Sequence, residues 1–166
     1  NLERLLRAFS VLKEHYHIPH QLVLAGGQGW GSESIYTLAK QLPCSADIIF
    51  TGYISDEEKC TLYRDASLFI FPSLYEGFGI PPLEAMKMDC PVVCSYAASL
   101  PEVVGNAARL VNPMDEKDIA EGMADVLFQK DVRSQLIEHG RIQRQKFTWD
   151  LAAAQFEQIC KQVMEE

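Results

Sequence analysis

Two glutamates, Glu76 and Glu84, are separated by seven residues that include a Gly-Phe-Gly turn and a pair of prolines, in the segment Phe71–Met86. An ionised carboxylate accepts hydrogen bonds at both oxygens, so each acid suits the vicinal hydroxyls of a sugar or a ribose. For either acid alone, a surface or helix-favouring role is the better interpretation. The two together, around one turn, indicate a binding site.

The prolines in this segment predict where the next helix begins. Proline is favoured in the first helical turn, so we expect a helix that starts near Pro81 or Pro82, with the second glutamate within about its first turn. The amides that open a helix have no partner within the helix, and they favour anions. The amides expected to meet phosphate or sugar oxygens are those of Phe78, Gly79 and Ile80.

Two further loops follow predicted strands. The loop Ala25–Gly31 contains four glycines, which let backbone amides approach a ligand closely. Phosphate binding and a flexible turn are equally good interpretations of this loop, and the absence of a Gly-Lys-Ser/Thr sequence excludes a P-loop. The loop Thr51–Ile54 could hydrogen-bond a flat heterocycle, although an ordinary strand-to-helix connection is the favoured interpretation.

The elements that carry these loops alternate between strand and helix. Unbroken apolar strands imply burial on both faces, so we predict an α/β fold with a Rossmann-like, doubly wound parallel sheet and helices on both faces. A long helical C-terminal tail follows from Asp115, with a hinge near Phe147–Asp150. The predicted strands are Gln21–Ala25, Asp47–Phe50, Leu68–Phe71, Pro91–Cys94 and Ala108–Val111.

The composition limits the classes of partner. The chain has 166 residues, is 48% apolar and carries a net charge of −8, which makes nucleic acid an unlikely partner for it. No apolar run approaches the roughly 20 residues that span a bilayer. The five cysteines are scattered without a C-x-x-C pair, which favours reduced thiols, and Cys94 is expected to be buried and inert.

Several motifs together resemble one family. The string Ser73-x-x-Glu-Gly-Phe-Gly-x-Pro-x-Leu-Glu-Ala85 resembles the signature of the GT-B glycosyltransferases of family 4, whose members carry two glutamates at this spacing. Other stretches resemble the same family in the same order along essentially the whole chain. They are Leu22–Gly27, Phe50–Glu57, Leu62–Ala66, Pro91–Val93, Ser99–Val103 and Phe147–Trp149.

The resemblance implies a role for each matching residue. Glu76 matches the catalytic-site glutamate near the transferred sugar, and Glu84 matches the glutamate that holds the ribose hydroxyls. Phe78, Gly79 and Ile80 match the turn whose amides meet the donor sugar and the diphosphate. Tyr53 and Ile54 match the segment that borders the base, and Gly26 and Gly27 match the loop close to the phosphates.

The resemblance also implies what the whole enzyme does. Family members transfer a sugar from a nucleotide diphosphate sugar with retention at the anomeric carbon, without a bound metal or another cofactor. Residues 1–166 match the C-terminal donor-binding domain, one half of a GT-B fold. By this resemblance the domain lacks its first strand, an Arg and Lys that clamp the diphosphate, and the N-terminal acceptor domain with its histidine. We therefore expect the chain alone to be inactive. The family has a small residue and glycine where Lys87–Cys90 stands, which predicts an altered turn.

Two alternatives remain open from the sequence: a non-catalytic nucleotide-sugar-binding module, and another GT-B enzyme such as a nucleotide-sugar epimerase. A dinucleotide-binding domain is disfavoured because no G-x-G-x-x-G fingerprint is present. The expected partners are the nucleotide-sugar donor, the absent domain and a glycan or lipid-linked acceptor. The expected location is the cytoplasm, with peripheral association of the parent enzyme at the cytoplasmic face of the membrane.

Overall fold

The computed structural model describes residues 1–27, 29 and 31–164. Helices and parallel strands alternate, which confirms the predicted α/β class. The strands are β1 (Leu22–Ala25), β2 (Ile48–Gly52), β3 (Phe69–Phe71), β4 (Val92–Ser95) and β5 (Ala108–Val111). The helices are α1 (Leu2–Tyr16), α2 (Glu33–Gln41), α3 (Asp56–Asp65), α4 (Ile80–Lys87), α5 (Leu100–Val104), α6 (Glu116–Phe128), α7 (Lys130–Gln143) and α8 (Trp149–Met164), with short 3-10 turns at Ser45–Asp47 and Arg144–Lys146.

The strands form two parallel sheets instead of the one expected. β1 pairs with β2, and β3, β4 and β5 form a second sheet in that order. We call these the β1–β2 half and the β3–β5 half of the molecule. The crossover helices between parallel strands are those that the alternating pattern predicts.

Helices cover the β3–β5 half on both faces. Side chains alternate along a strand, so Val93 faces one helical layer while Val92 and Cys94 face the other. Val93 belongs to a core built with α1 and α6, whereas Val92 and Cys94 pack with α4 and α5. All four residues of β4 are buried, as an unbroken apolar strand between two layers should be.

The β1–β2 half departs from that expectation. Leu22, Leu24 and Phe50 face the α1–α6 core, but the opposite face is open, with Val23 40% exposed and Ile49 38% exposed. The prediction of burial on both faces is therefore wrong for these two strands, since an apolar run does not reveal whether a second helical layer covers it.

Side chains cap the N-termini of some helices but not of others. Ser55 and Glu58 form a capping box at α3, with Ser55 Oγ accepting from the Glu58 amide and the Glu58 carboxylate accepting from the Ser55 amide. Asp115 caps α6 through the amides of Lys117 and Asp118. Ser32 immediately precedes α2, but its side chain makes no capping hydrogen bond.

The C-terminal part is helical, as predicted. α7 packs on α4 and α6, and a turn at Arg144–Lys146 leads to α8. No residue of α8 is buried, and its apolar side chains Phe156, Ile159 and Val163 are largely exposed. None of the helices within the described residues is long and apolar enough to cross a bilayer.

The cysteines are all free thiols. Cys94 is fully buried in β4, as predicted, and burial raises its pKa to about 12. Burial likewise raises the pKa of Cys90 to about 11. Cys44 is buried in the other half, just before β2, whereas Cys60 and Cys160 are partly exposed.

Candidate functional site

The start of α4 is fixed by a glycine and the helix that it touches. The helix begins at Ile80, one residue before the predicted prolines, and Gly79 precedes it with a φ of 105°. A Cβ at Gly79 would lie 2.5 Å from Cδ2 of Leu100 in α5. Both the backbone conformation and the close approach therefore require glycine at this position.

The turn before α4 leaves main-chain donors unused. Pro81 and Pro82 contribute no amide hydrogen to the first turn. Within the described residues, the amides of Phe78, Gly79 and Ile80 donate to no protein acceptor. Phe78 and Ile80 are 43% and 53% exposed whereas Gly79 is buried, so the amides of the two exposed residues are the ones best placed to meet a ligand oxygen.

Serine side chains hold the turn against the β3–β5 half. Ser99 Oγ lies 2.9 Å from the carbonyl oxygens of both Glu76 and Phe78. Ser95 Oγ, at the end of β4, donates to the carbonyl oxygen of Ser73 at 2.5 Å. The loop that carries Glu76 is therefore attached to the end of β4 and to the start of α5.

The Glu76 carboxylate is partly exposed and has one protein partner. Its Oε1 accepts a hydrogen bond from Ser73 Oγ at 2.8 Å. Oε2 has no hydrogen-bond partner among the described residues. The arrangement orients the carboxylate and leaves acceptor capacity for a sugar hydroxyl or for a developing positive charge.

Glu84 is the fifth residue of α4, just beyond the first turn near which it was expected, and it interacts with α3. Lys59 Nζ is 2.9 Å from its Oε1, and the Tyr63 hydroxyl donates to its Oε2 at 3.3 Å. Burial, followed by the charge of Glu84, raises the pKa of Tyr63, which keeps the phenol protonated as a donor. The hydrogen bond to Glu84, together with one to Asp56, raises the pKa of Lys59.

The two loops of the β1–β2 half meet at its carboxyl edge. The Gly26 amide donates to the Gly52 carbonyl oxygen at 3.0 Å, and both glycines have positive φ, 144° and 70°. This contact brings the Gly26–Gly27 segment next to Tyr53 and Ile54. Tyr53 is 89% exposed, so its ring is free to stack on a ligand. Gln28 and Trp30 of the predicted glycine loop lie outside the described residues.

A cavity of about 1090 Å³ opens between these loops and the β3–β5 half. Gly26, Gly27, Tyr53 and Ile54 line one side. The opposite side is lined by residues that contact the glutamates or follow their turn, namely Lys59, Tyr63, Ser73 and Pro81. Glu76, Glu84, Phe78, Gly79 and Ile80 are not themselves part of the lining and adjoin it through these neighbours.

Several contacts of the site were not identified from the sequence. Lys59 and Tyr63 are four residues apart, which places them on one face of α3, and that spacing was the available signal. Ser99 belongs to a stretch that carries the family resemblance, but no role followed from it. Among the described residues no group of three or more His, Cys, Asp or Glu side chains could hold a metal ion, and the expectation of metal-free chemistry stays a prediction.

Comparison with known proteins gives consistent matches. A family model described as glycosyl transferases group 1 matches residues 1–143. The chain is 36% identical over 155 residues to the O-antigen chain mannosyltransferase B of Escherichia coli, which covers 93% of this chain and 41% of that protein. It is 38% identical over 151 residues to the serotype-specific mannosyltransferase WbdA of Escherichia coli, covering 90% of this chain and 18% of that protein.

Comparison with solved structures gives a similar match. The structure of sucrose-phosphate synthase from Thermosynechococcus elongatus superimposes with a TM-score of 0.85 at 29% identity, covering 99% of this chain and 42% of that one. The chain thus spans less than half the length of each of these proteins.

Proposed function

The chain belongs to the glycosyl transferases group 1 family, and we propose that it is the donor-binding domain of a retaining transferase that uses a nucleotide diphosphate sugar. The observation that carries the proposal is the turn Glu76–Ile80. It presents an oriented carboxylate and three unpaired amides beside a cavity lined by the glycine loop. A carboxylate suits sugar hydroxyls, and free amides at a helix start suit a diphosphate.

Each group has a place in this proposal. Glu84 holds the ribose hydroxyls, and Lys59 and Tyr63 orient its carboxylate from α3. The amides of the turn bind the donor sugar and diphosphate, and Gly26 and Gly27 lie close to the phosphates. Tyr53 and Ile54 border the base, since an exposed ring beside a main-chain loop suits a flat heterocycle.

Glu76 has the role nearest to the chemistry. Transfer breaks the bond between the anomeric carbon and the diphosphate oxygen, and positive charge develops on the sugar ring as it does so. A fixed carboxylate near that ring stabilises the transition state more than the ground state, which is the condition for raising turnover. Its hydrogen bond from Ser73 and the attachment of its loop to Ser99 provide the fixed position.

We further propose that the transferred sugar is mannose, because both curated relatives described above are mannosyltransferases. The acceptor would be a glycan or lipid-linked glycan of a surface polysaccharide. The parent enzyme would act in the cytoplasm, at the membrane face where such an acceptor lies. No metal ion is required, since the amides and side chains of the site meet the donor directly.

The chain alone is proposed to be inactive. Transfer needs donor and acceptor in near-attack geometry in a cleft closed against water. An acceptor domain that precedes this one in the parent enzyme would provide both. The same segment would supply an Arg and a Lys to the diphosphate, and charged hydrogen bonds of that kind contribute roughly 1.5–3 kcal/mol each. We therefore expect UDP, GDP and ADP to bind the isolated chain no tighter than about the millimolar range.

Steady-state kinetics of the parent enzyme with a radiolabelled nucleotide sugar test the roles of the two acids. Glu76→Ala is expected to lower kcat by at least about 100-fold, because it removes transition-state stabilisation. Glu84→Ala is expected to raise the KM for the donor with a smaller change in kcat, because ribose contacts are present in both states. Glu121→Ala, a surface acid on α6, is the matched control.

Two results would contradict the proposal. Unchanged turnover in Glu76→Ala would remove this acid from the reacting centre. Submicromolar binding of a nucleoside diphosphate by the isolated chain, measured by calorimetry, would show that the phosphate contacts lie elsewhere.

A further inference from the structure

The ring of Phe78, in the middle of the segment Glu76–Ile80, packs against a part of the chain far away in sequence. We call this segment the amide turn. The partner ring belongs to Phe147, and the two ring centroids lie 5.5 Å apart with an interplanar angle of 81°. This edge-to-face arrangement is a favourable one for aromatic pairs. The function proposed above uses the amides of the turn and gives this ring contact no role.

Glycines flank Phe78 on both sides, so the backbone by itself constrains its orientation weakly. A Cβ at Gly77 would meet nothing within 4 Å, whereas Gly79 lies against Leu100 of α5. Ser99 Oγ donates to the Phe78 carbonyl oxygen at 2.9 Å, which fixes the peptide group that follows Phe78. The ring contact is therefore the interaction that fixes its side chain, and with it the backbone on the side of Gly77.

The segment that carries Phe147 is attached to α5, the same helix that holds the amide turn through Ser99. Gln143 is buried, and its Nε2 donates to the carbonyl oxygen of Val103 in α5 at 2.8 Å. Its Oε1 accepts a hydrogen bond from Lys146 Nζ, also at 2.8 Å. The segment is thus fixed on its amino side, and Phe147 itself is half-buried.

The first turn of α8 follows Phe147 directly. Thr148 caps this helix, since its Oγ1 accepts from the Leu151 amide at 3.2 Å and its carbonyl oxygen accepts from the Ala152 amide at 3.0 Å. α8 begins at Trp149, and none of its residues is buried. The start of α8 is therefore joined to the ring pair, while burial holds no later part of this helix against the rest of the molecule.

We propose that Phe147 is a positioning residue: its ring holds Phe78, and through this contact the orientation of α8 determines where the Phe78 amide points. The inference rests on the proposed function, in which that amide binds the donor. A change in the direction of α8 moves Phe147, and the amide turn, with glycines on both sides of Phe78, follows its ring. The start of α8 and the donor site are in this way parts of one mechanical unit.

Another aromatic pair in the molecule provides the comparison. Tyr16 and Phe128 stack with ring centroids 5.6 Å apart, and both residues are largely exposed, at 42% and 56%. They lie at the ends of α1 and α6, and neither contacts a residue of the candidate site. Loss of this pair removes an aromatic contact of similar size without touching the amide turn, so Phe128→Ala is the matched control.

The first measurement is ¹⁵N relaxation of the 166-residue chain, which reports the rigidity of each amide without a ligand. In Phe147→Ala the order parameter of the Phe78 amide is expected to fall from the rigid value of about 0.85 to below about 0.6. Phe147→Tyr keeps the ring edge and should keep the natural value. Phe147→Leu keeps apolar volume without the ring and should loosen the turn in the same direction as alanine.

The second measurement is titration of the chain with UDP and with GDP, followed by amide chemical shifts. Binding should shift the Phe78 and Ile80 amides and also those of residues 148–151, because coupling between two places is reciprocal. In Phe147→Ala the shifts at 148–151 should disappear. In the parent enzyme the same variant should raise the KM for the donor by about two- to tenfold, the effect of losing one aromatic pair, with little change in kcat. Loss of folded enzyme would instead lower kcat alone.

Several results would overturn the proposal. One is an unchanged order parameter at Phe78 in Phe147→Ala, and another is equal loosening in Phe128→Ala, which would indicate a general loss of stability. A Phe147→Tyr variant as loose as the alanine variant would show that the ring edge is not what holds the turn. Shifts at 148–151 that persist in Phe147→Ala would mean that α8 is reached by another path. If neither UDP nor GDP shifts the amide turn of the natural chain, the proposed function fails, whereas the relaxation data still decide the role of Phe147.

Discussion

The β1–β2 half and the β3–β5 half carry the two sides of the candidate site in different ways. In the β3–β5 half, helices cover both faces and hydroxyl groups of Ser95 and Ser99 hold the loop of Glu76. In the β1–β2 half, one face is exposed and the loops meet through one main-chain contact between Gly26 and Gly52. The half whose loop is held by serine hydroxyls carries Glu76, the carboxylate for which a role in the transition state is proposed.

This difference matches what each side is proposed to do. A group that stabilises a transition state must be held within a fraction of an ångström, which calls for rigid elements and supporting contacts. Loops that border a base or a diphosphate tolerate adjustment, because amides and rings offer broad contact geometry. The comparison predicts that the same substitution has different consequences in the two halves.

Deleting the same two methyl groups in each half gives the largest expected contrast. Val93→Ala in β4 removes a fully buried side chain from the core and is expected to lower the free energy of unfolding by about 2–3 kcal/mol. Val23→Ala in β1, at a 40% exposed position, is expected to change it by less than about 0.5–1 kcal/mol. Urea unfolding of both variants measures the two changes in the free energy of unfolding. Equal losses would contradict the conclusion that helices cover both faces of β4 but only one face of β1.

Adding one methyl group gives a smaller contrast. In Gly122→Ala the new Cβ would lie 2.4 Å from Cγ1 of Val111, an overpacking cost of about 1–3 kcal/mol, partly offset by the roughly 1 kcal/mol gain in helix propensity. Gly27→Ala places its Cβ in open space, so stability should change by about 0.5 kcal/mol or less. Thermal unfolding checks both, and a stabilised Gly122→Ala would show that α6 can move away from the sheet.

The smallest expected effect concerns an exposed pair within the β3–β5 half. Arg141 donates to both carboxylate oxygens of Asp89, at 2.9 and 2.8 Å, and these bonds lower the pKa of Asp89. A lowered folded-state pKa stabilises the fold above the unfolded value of about 3.9, and this contribution is lost as pH falls through the folded value.

Asp89→Asn tests that pair without changing the backbone. Asp89 has a φ of 55°, a conformation that Asn also tolerates. The variant is expected to have a slightly lower Tm than the natural chain at pH 7, and the difference should shrink towards pH 3. A difference that stays constant over this range would show that the charge of Asp89 contributes nothing.

The sequence predicts those parts of the fold that depend on neighbouring residues. Proline and glycine around residues 79–82 located the start of α4 to within one residue, and the apolar run of β4 predicted its burial and that of Cys94. Ser55 followed by three acids is a pattern typical of a helix start, and α3 begins there with a capping box.

Features that depend on distant residues were not predictable in this way. Glu84 interacts with Lys59 and Tyr63, 25 and 21 residues earlier, and only the packing of α3 on α4 brings them together. The exposed face of β1 and β2 and the break between the sheets depend on which helices cover a strand, and an apolar run contains no information about that. The roles of the site residues remain predictions until ligand binding is measured.

The alkylation rates of the buried cysteines report how often each half of the molecule opens. A thiol reacts with an alkylating reagent only after it becomes accessible and ionised, so Cys94 should react at the rate at which the β3–β5 half opens. Cys44, buried in the core just before β2, should follow opening of the β1–β2 half. Cys60 and Cys160, which are partly exposed, should be modified first. Mass spectrometry of protein sampled at successive labelling times would therefore measure the opening rates of the two halves separately, without an introduced probe.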